Sequence, residues 1–212
     1  MSLWSRTRNT VYREITRTAM ELFLERGFDA TTIDDIAAAA GISRRSFFRY
    51  FGTKEDVVLG DLIASGDLVR EALEARPGDE EIWEALRNAL HSVKDTAFDE
   101  PTMMKIIKMV NETPSLRARS IEKHLQWQAL LTPEVRRRLG ADPADPSDVR
   151  ADALVATVIT CLDVAADAWT RCGGEVSLET LFDAAAAAVR APADVDIADR
   201  PRTAPSRTAS PG

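Results

Sequence analysis

Apolar positions recur at three-and-four spacing along most of the chain, and no stretch alternates with period two for long enough to predict a strand. Val11, Ile15, Ala19, Leu22 and Phe23 form one helical stripe, with Gly27 as its stop. A short helix follows, with Ile33, Ile36, Ala37 and Ala40 inward; Thr31 with Asp34 and Thr32 with Asp35 are overlapping capping patterns at its start. After Gly41 a third helix is predicted from the N-cap Ser43 to Phe51, with Ile42 and Phe47 placed as a hydrophobic staple and Gly52 as the stop. Thr53 with Asp56 opens a longer helix to about Ala75, stopped by Pro77-Gly78.

Five or six more helices are expected beyond it. Trp83, Leu86, Leu90 and Val93 stripe one, and Met103, Ile106, Ile107 and Val110 another. Thr113-Pro114 starts a third, which Thr132-Pro133 interrupts near its end and Gly140 closes. A loop over 140–146 leads to the most apolar helix, 147–171, ended by Gly173-Gly174, and Ser177 caps a last helix to about 190. Residues 191–212, rich in Pro, Ala, Thr and Ser, read as a disordered tail. The fold class is therefore all-α, with a three-helix unit at 1–53, a helical domain at 54–190 and a tail.

The formal net charge of −7 argues against nucleic acid until its distribution is considered. Residues 1–56 hold nine Lys/Arg and eight Asp/Glu, a balance of +1 that leaves −8 for the rest; residues 43–54 hold four cations and no acid. A basic patch on an acidic body suits a protein that touches phosphates with one end. On the third helix Phe47 and Phe51 turn inward, which leaves Arg44, Arg45, Ser46, Phe48 and Arg49 outward or at the exposed N-terminal end. Arginines there suit the major groove, where guanine O6 and N7 accept bidentately. Thr32 at a helix N-terminus, Tyr50 and Lys54 are placed for phosphate contacts that fix register.

Residues 28–57, with Thr31-Thr32-Ile33, Gly41-Ile42-Ser43, Phe51 and Lys54 at the family's spacing, resemble the DNA-binding domain of the tetracycline-repressor (TetR) family. The resemblance implies an all-α dimeric regulator on a palindromic double-stranded operator. The family's DNA contacts carry over to Thr32, Ser43, Arg44, Arg45, Ser46, Phe48, Arg49, Tyr50 and Lys54. Arg45 stands where the family often has Gly or a small residue, and Phe48 where it has Tyr, which removes a hydroxyl–phosphate bond. The run Ser43–Phe51, the later Glu112–Arg119 and Trp169 resemble a subgroup with an acyl-CoA-like ligand-binding domain that includes mycofactocin-type regulators. That resemblance implies a repressor released by a small apolar or acyl-CoA-like effector.

Trp83, His91, Phe98, Met103, Met104, Ile107, His124 and Trp127 are the candidate ligand-pocket residues, against the plain reading that each fills the core. The chain's two histidines, His91 and His124, stand on separate helices with no ligand-spaced cluster, so no metal is expected; no cofactor motif or catalytic constellation occurs, so an enzyme acting on an acyl substrate is the weaker alternative. Cys161 and Cys172, on one helix, stand roughly 16 Å apart at about 1.5 Å per residue and read as buried small hydrophobes. No apolar run approaches the roughly 20 residues of a membrane span, and no secretory signal opens the chain, so a cytoplasmic address is expected. Ala153, Ala156, Val164, Ala165 and Ala168 make helix 147–171 small-faced, and with helix 177–190 it is expected to form half of a four-helix dimer interface.

Overall fold

The structure, a computed structural model, describes residues 3–92, 98–142 and 144–190, and the side chains among these except at 3–7 and 61–64. The expected tail at 191–212 lies outside them. The described residues form nine helices and no strand: α1 (Leu3–Arg26), α2 (Ile33–Ala39), α3 (Arg44–Phe47), α4 (Glu55–Glu74), α5 (Ile82–Ser92), α6 (Glu100–Glu112), α7 (Pro114–Arg138), α8 (Arg150–Arg171) and α9 (Leu178–Arg190).

Two apolar cores organise these helices. The first joins Ile15, Ala19 and Phe23 of α1 to Ile36, Phe47 and Phe51, and continues into Val57, Val58 and Leu59 of α4. It also draws in Ile106 of α6 and Leu116 of α7, so packing continues across the motif boundary read at 53/54. The second core gathers Val69 and Leu73 of α4, Trp83 and Leu86 of α5, Trp127, Leu131 and Val135 of α7, and the inner faces of α8 and α9. Helix α4 thus begins in one core and ends in the other.

Helix α7 is strapped along α4 at three points in matching order. Arg119 donates to Asp56 Oδ1 at 3.2 and 2.9 Å. In the middle, a Cβ on Gly66 would stand 2.8 Å from the Trp127 indole, so only a glycine lets the ring reach the α4 backbone. At the far end Arg138 donates to the carbonyls of Leu73 (2.7 Å), Arg76 (2.9 Å) and Pro77 (2.9 Å), closing the C-terminus of α4 with a positive charge.

Three expectations need correction. Helix α7 runs through Pro133 to Arg138 rather than breaking at Thr132-Pro133; the missing N–H sits on an exposed flank while Leu131, Glu134 and Val135 stay buried and hold the turn. Helix α8 is, by length and composition, apolar enough to cross a membrane, with 22 residues and a mean hydropathy of 1.5 in its most apolar window. Its inner face, Val155, Val158, Ile159, Cys161 and Trp169, belongs to the second core. Ala165 faces that core too, at 1% exposure, so it is no part of an outer small face. Outward stand Ala153, Thr160 and Val164 on α8 and Ala184, Ala187, Ala188 and Val189 on α9. Thr157 and Thr160 turn their hydroxyls back onto the carbonyls of Ala153 (2.6 Å) and Ala156 (2.9 Å), which makes their outward surface effectively apolar.

Glu134 receives Arg138 at 2.8 Å and Arg137 at 2.6 Å, and both Glu134 and the Arg138 side chain are almost fully buried. Arg137 first, then Arg138, hold the Glu134 carboxyl below its ordinary pKa against the opposing effect of burial. A carboxyl lowered in the folded state contributes stability above its unfolded pKa and loses it as the pH falls through the folded value. Arg138→Met, which leaves Glu134 with Arg137 alone and uncovers three carbonyls, is expected to cost about 3 kcal/mol at neutral pH by chemical denaturation. The deficit should shrink as the pH is lowered through the acid range, and a pH-independent loss would show that packing, not charge, holds this end.

Candidate nucleic-acid interface

The second and third helices are positioned by local chemistry that is specific in each turn. Thr32 caps α2 in a reciprocal box: its hydroxyl accepts from Asp35 N at 3.1 Å while Asp35 Oδ2 accepts from Thr32 N at 2.9 Å. Asp35 also takes the hydroxyl proton of Thr32 at 2.5 Å, and these bonds, the hydroxyl's first, hold its carboxyl below the ordinary range. Of the two overlapping patterns, the one at Thr32 operates. Thr31 is buried and donates instead to the Gly27 carbonyl at 2.9 Å.

The turn to α3 is closed by Ile42 N on the Ala37 carbonyl (2.9 Å) and Gly41 N on that of Ala38 (3.2 Å), with Gly41 at φ +65°. This is a Schellman closure that requires the left-handed conformation glycine adopts without strain. Ser43 then caps α3, accepting from Ser46 N at 3.1 Å. The regular helix is a single turn, Arg44–Phe47, rather than the run to Phe51; Phe48 is its C-cap, and turns continue to Phe51, whose N–H reaches the Phe47 carbonyl at 3.0 Å.

Phe47 is fully buried, and its ring lies 5.3 Å from that of Phe51, which stacks on Tyr12 of α1 at 4.7 Å. That wedge fixes which way the short helix faces. Arg44, Arg45, Phe48 and Arg49 are exposed, and Ser46 and Tyr50 partly so. Arg44 meets Asp34 at 2.9 Å in an exposed ion pair, a contact cheaply exchanged for a base or phosphate. Arg45 and Arg49 form no ion pair among the described residues. Phe48 stands edge-on to Phe47 with 47% of its surface open.

Lys54 is placed differently from the sequence expectation. Its Nζ donates to the carbonyls of Phe28 (2.7 Å) and Thr31 (3.0 Å) and lies 4.2 Å from the Phe28 ring centre. Two of its three protons are committed to the loop before α2. Thr32 likewise directs its hydroxyl proton to Asp35 rather than outward. Both therefore build the platform on which α3 sits.

The pocket candidates do not line one cavity. Trp83 lies in the second core beneath Arg190, and His91 packs edge-on to Phe182 at 5.6 Å. Phe98 packs against the first core, and Met104 lies against Gly174. Met103 and Ile107 are partly buried on α6. His124 Nδ1 stands 3.2 Å from Asp163 Oδ2, one turn before Trp127. A cleft of about 530 Å³ between α7 and α8 is lined by Leu125, Gln128, Ala129, Thr132, Pro133, Arg136 and Asp152, and Trp83 alone of the candidates borders a second cleft by Arg190. No group of three or more metal-ligating side chains occurs among the described residues.

Sequence reasoning missed the Asp56–Arg119 link. Asp56 serves two partners, since its Oδ2 accepts from Thr53 N at 3.0 Å while its Oδ1 holds Arg119. It thus ties the start of α4, next to α3, to α7. The capping pattern signalled Asp56, but nothing in sequence joins it to a residue 63 positions away.

Because Lys54 clamps two carbonyls beneath α3, Lys54→Ala is expected to lower stability by about 1–2 kcal/mol and to weaken specific binding more than binding to random DNA. Calorimetry beside DNA titrations measures both. A variant that melts like wild type would show the clamp to be idle.

Residues 15–60 match the domain family described as bacterial regulatory proteins, tetR family, and residues 80–194 match the MftR C-terminal domain. The chain is 33% identical over 143 residues to the mycofactocin biosynthesis transcriptional regulator MftR of Mycobacterium tuberculosis, covering 66% of this chain and 71% of that one. It is 32% identical over 147 residues to the transcriptional regulator TcmR of Streptomyces glaucescens, covering 66% of this chain and 63% of TcmR. The fold is shared with the TetR-family repressor FadR of Thermus thermophilus in complex with lauroyl-CoA, at a TM-score of 0.53 and 23% identity over 93% of this chain and 100% of FadR. FadR of Bacillus subtilis in complex with stearoyl-CoA gives a TM-score of 0.55 at 15% identity over 82% and 95% of the two chains. These relatives are named as regulators, none as an enzyme, and the chain belongs to the TetR family of DNA-binding transcriptional regulators, with an MftR-type C-terminal domain.

Proposed function

We propose that the chain is a homodimeric repressor that reads a palindromic operator with α3 and leaves it when a small apolar, acyl-CoA-like effector binds the helical domain. The observation that carries the DNA reading is the fixed outward presentation of Arg44, Arg45 and Arg49 by the Phe47–Phe51–Tyr12 wedge. Ser43, Ser46, Phe48 and Tyr50 border those arginines, and Thr32 and Lys54 support the platform beneath them. Arg45 and Arg49 are the base readers, and Phe48 covers a thymine methyl or sugar edge. Such a protein works where the chromosome is, in the bacterial cytoplasm.

Assembly rests on the outer face of α8 and α9. Val164 is 52% and Val189 58% exposed, among alanines and back-bonded threonines. A face this apolar asks for cover, and a second copy placed about a two-fold axis supplies it and sets two reading heads for two half-sites. The effector reading is supported by the MftR-type domain and by the acyl-CoA complexes of the two FadR proteins. Release requires that the effector bind the DNA-incompetent arrangement more tightly than the competent one.

Fluorescence anisotropy of an operator selected from genomic fragments tests these claims together. Lauroyl-CoA is expected to lower the affinity of the wild type. Arg45→Ala should lose about 1–3 kcal/mol of discrimination at one base pair in each half-site while keeping its fold. Val164→Glu, on the outer face, should sediment as a folded monomer at micromolar concentration, where the wild type sediments as a dimer, and should bind the operator weakly. An Arg45→Ala protein with unchanged sequence preference would remove α3 as the reader. A Val164→Glu dimer with normal affinity would place the interface elsewhere.

A further inference from the structure

Asp34 is an exposed carboxylate beside side chains fitted to a polyanion. It stands in the first turn of α2, ten positions before Arg44, and its Oδ2 accepts from Arg44 Nη1 at 2.9 Å. The other acid of that turn, Asp35, is committed to the Thr32 capping box, so Asp34 has no part in the cap. The same guanidinium lies 5.8 Å from the ring centre of Phe48, four residues further along. Arg44 is thus held between a carboxylate from α2 and a ring that follows it on α3. Arg45 and Arg49, by contrast, form no ion pair among the described residues.

Both side chains of the pair are more than half exposed, so in water it is worth little. Its consequence comes with DNA. A guanidinium has five N–H donors, and one bond at Nη1 leaves the Nε–Nη2 edge open. That edge suffices for guanine O6 and N7. Guanine is neutral, so it can share the guanidinium with Asp34. A phosphate on the same edge would bring two anions together on one cation. A phosphate that draws Arg44 away would leave Asp34 bare beside the backbone, where a carboxylate is repelled. Either cost falls on binding through phosphates alone, which is how random DNA is held.

We infer that Asp34 is a specificity-determining residue: it reserves Arg44 for a guanine and makes it a poor partner for phosphate. The inference rests on the reading of α3 given under Proposed function and adds Arg44 to the base contacts made there. Asp34 is a positioning residue, because it acts on DNA through Arg44. Discrimination of this kind works by penalising the wrong partner as well as by rewarding the right one.

Anisotropy titrations of the full chain on the selected operator and on a random-sequence duplex of the same length give the ratio of the two affinities. They compare wild type, Asp34→Asn, Arg44→Ala and the double variant. Asp34→Asn should bind random DNA roughly fivefold tighter, the scale of one unit charge at contact distance in water, and the ratio should fall. Its salt slope on random DNA should steepen by about one, as Arg44 turns to a phosphate. In the Arg44→Ala background the same substitution should leave the ratio unchanged, because a bare carboxylate repels both duplexes alike. Both single variants should relax preference at the same base pair of each half-site. A purely structural role for Asp34 at the start of α2 would move the melting temperature and not the ratio. A ratio that Asp34→Asn does not lower, a ratio that falls equally without Arg44, or relaxation at different base pairs would overturn the role of Asp34. With Arg45→Ala still relaxing the preference, α3 then stands as the reader. Unchanged preference in Arg44→Ala, Arg45→Ala and Arg49→Ala alike would overturn the reader, and Asp34 with it.

Discussion

Helix α4 belongs to two cores at once, and most of what this protein does depends on that. Its first turns, through Val57, Val58 and Leu59, are part of the core beneath α3, and its last turns, through Val69 and Leu73, are part of the second core. A helix shared in this way joins the packing of the two cores, and close-packed interiors do not absorb displacement gradually. Helix α7 is its splint, bound by an ion pair at one end, a glycine-permitted ring contact in the middle and a guanidinium on three carbonyls at the other. The three contacts hold the centre of α7 and Asp56 to the same helix.

The reader itself is not self-supporting. A helix of one turn makes too few hydrogen bonds to offset its own ordering, so tertiary contacts decide its existence and direction. Here the contacts are aromatic: Phe47 into the core, Phe51 against it, and Tyr12 of α1 stacked on Phe51. Caps at Thr32 and Ser43 and the left-handed Gly41 set the entry angle of the chain, and Lys54 ties the preceding loop down. The basic side chains then stand outward because Phe47 and Phe51 hold the opposite side of that turn in the core, although Phe48 stays outward with them.

Much of this was legible in the sequence, and the reasons differ by element. Caps, glycine stops and helical stripes are local, so the order of helices, the Gly41 turn and the inward Phe47 and Phe51 followed from spacing. The extent of α3 did not, because the turns after Phe48 keep the periodicity of a helix without its full hydrogen-bond ladder. Pro133 misled for the opposite reason: a strong local breaker is overruled when the neighbouring turn is well buried. Ala165 could not be assigned to an inner or outer face of α8 from a helix apolar nearly all round. Lys54, Arg119 and Arg138 act through partners far along the chain, and one sequence carries no signal for such pairings.

The central claim, that two copies of α3 read DNA as a symmetric pair, is tested most directly by selecting binding sites for the full chain from a random double-stranded DNA library. The account predicts enrichment of an inverted repeat whose half-sites lie about one helical turn or a whole multiple apart. Recovery of an unsymmetrical single site, or no enrichment over the starting library, would contradict it.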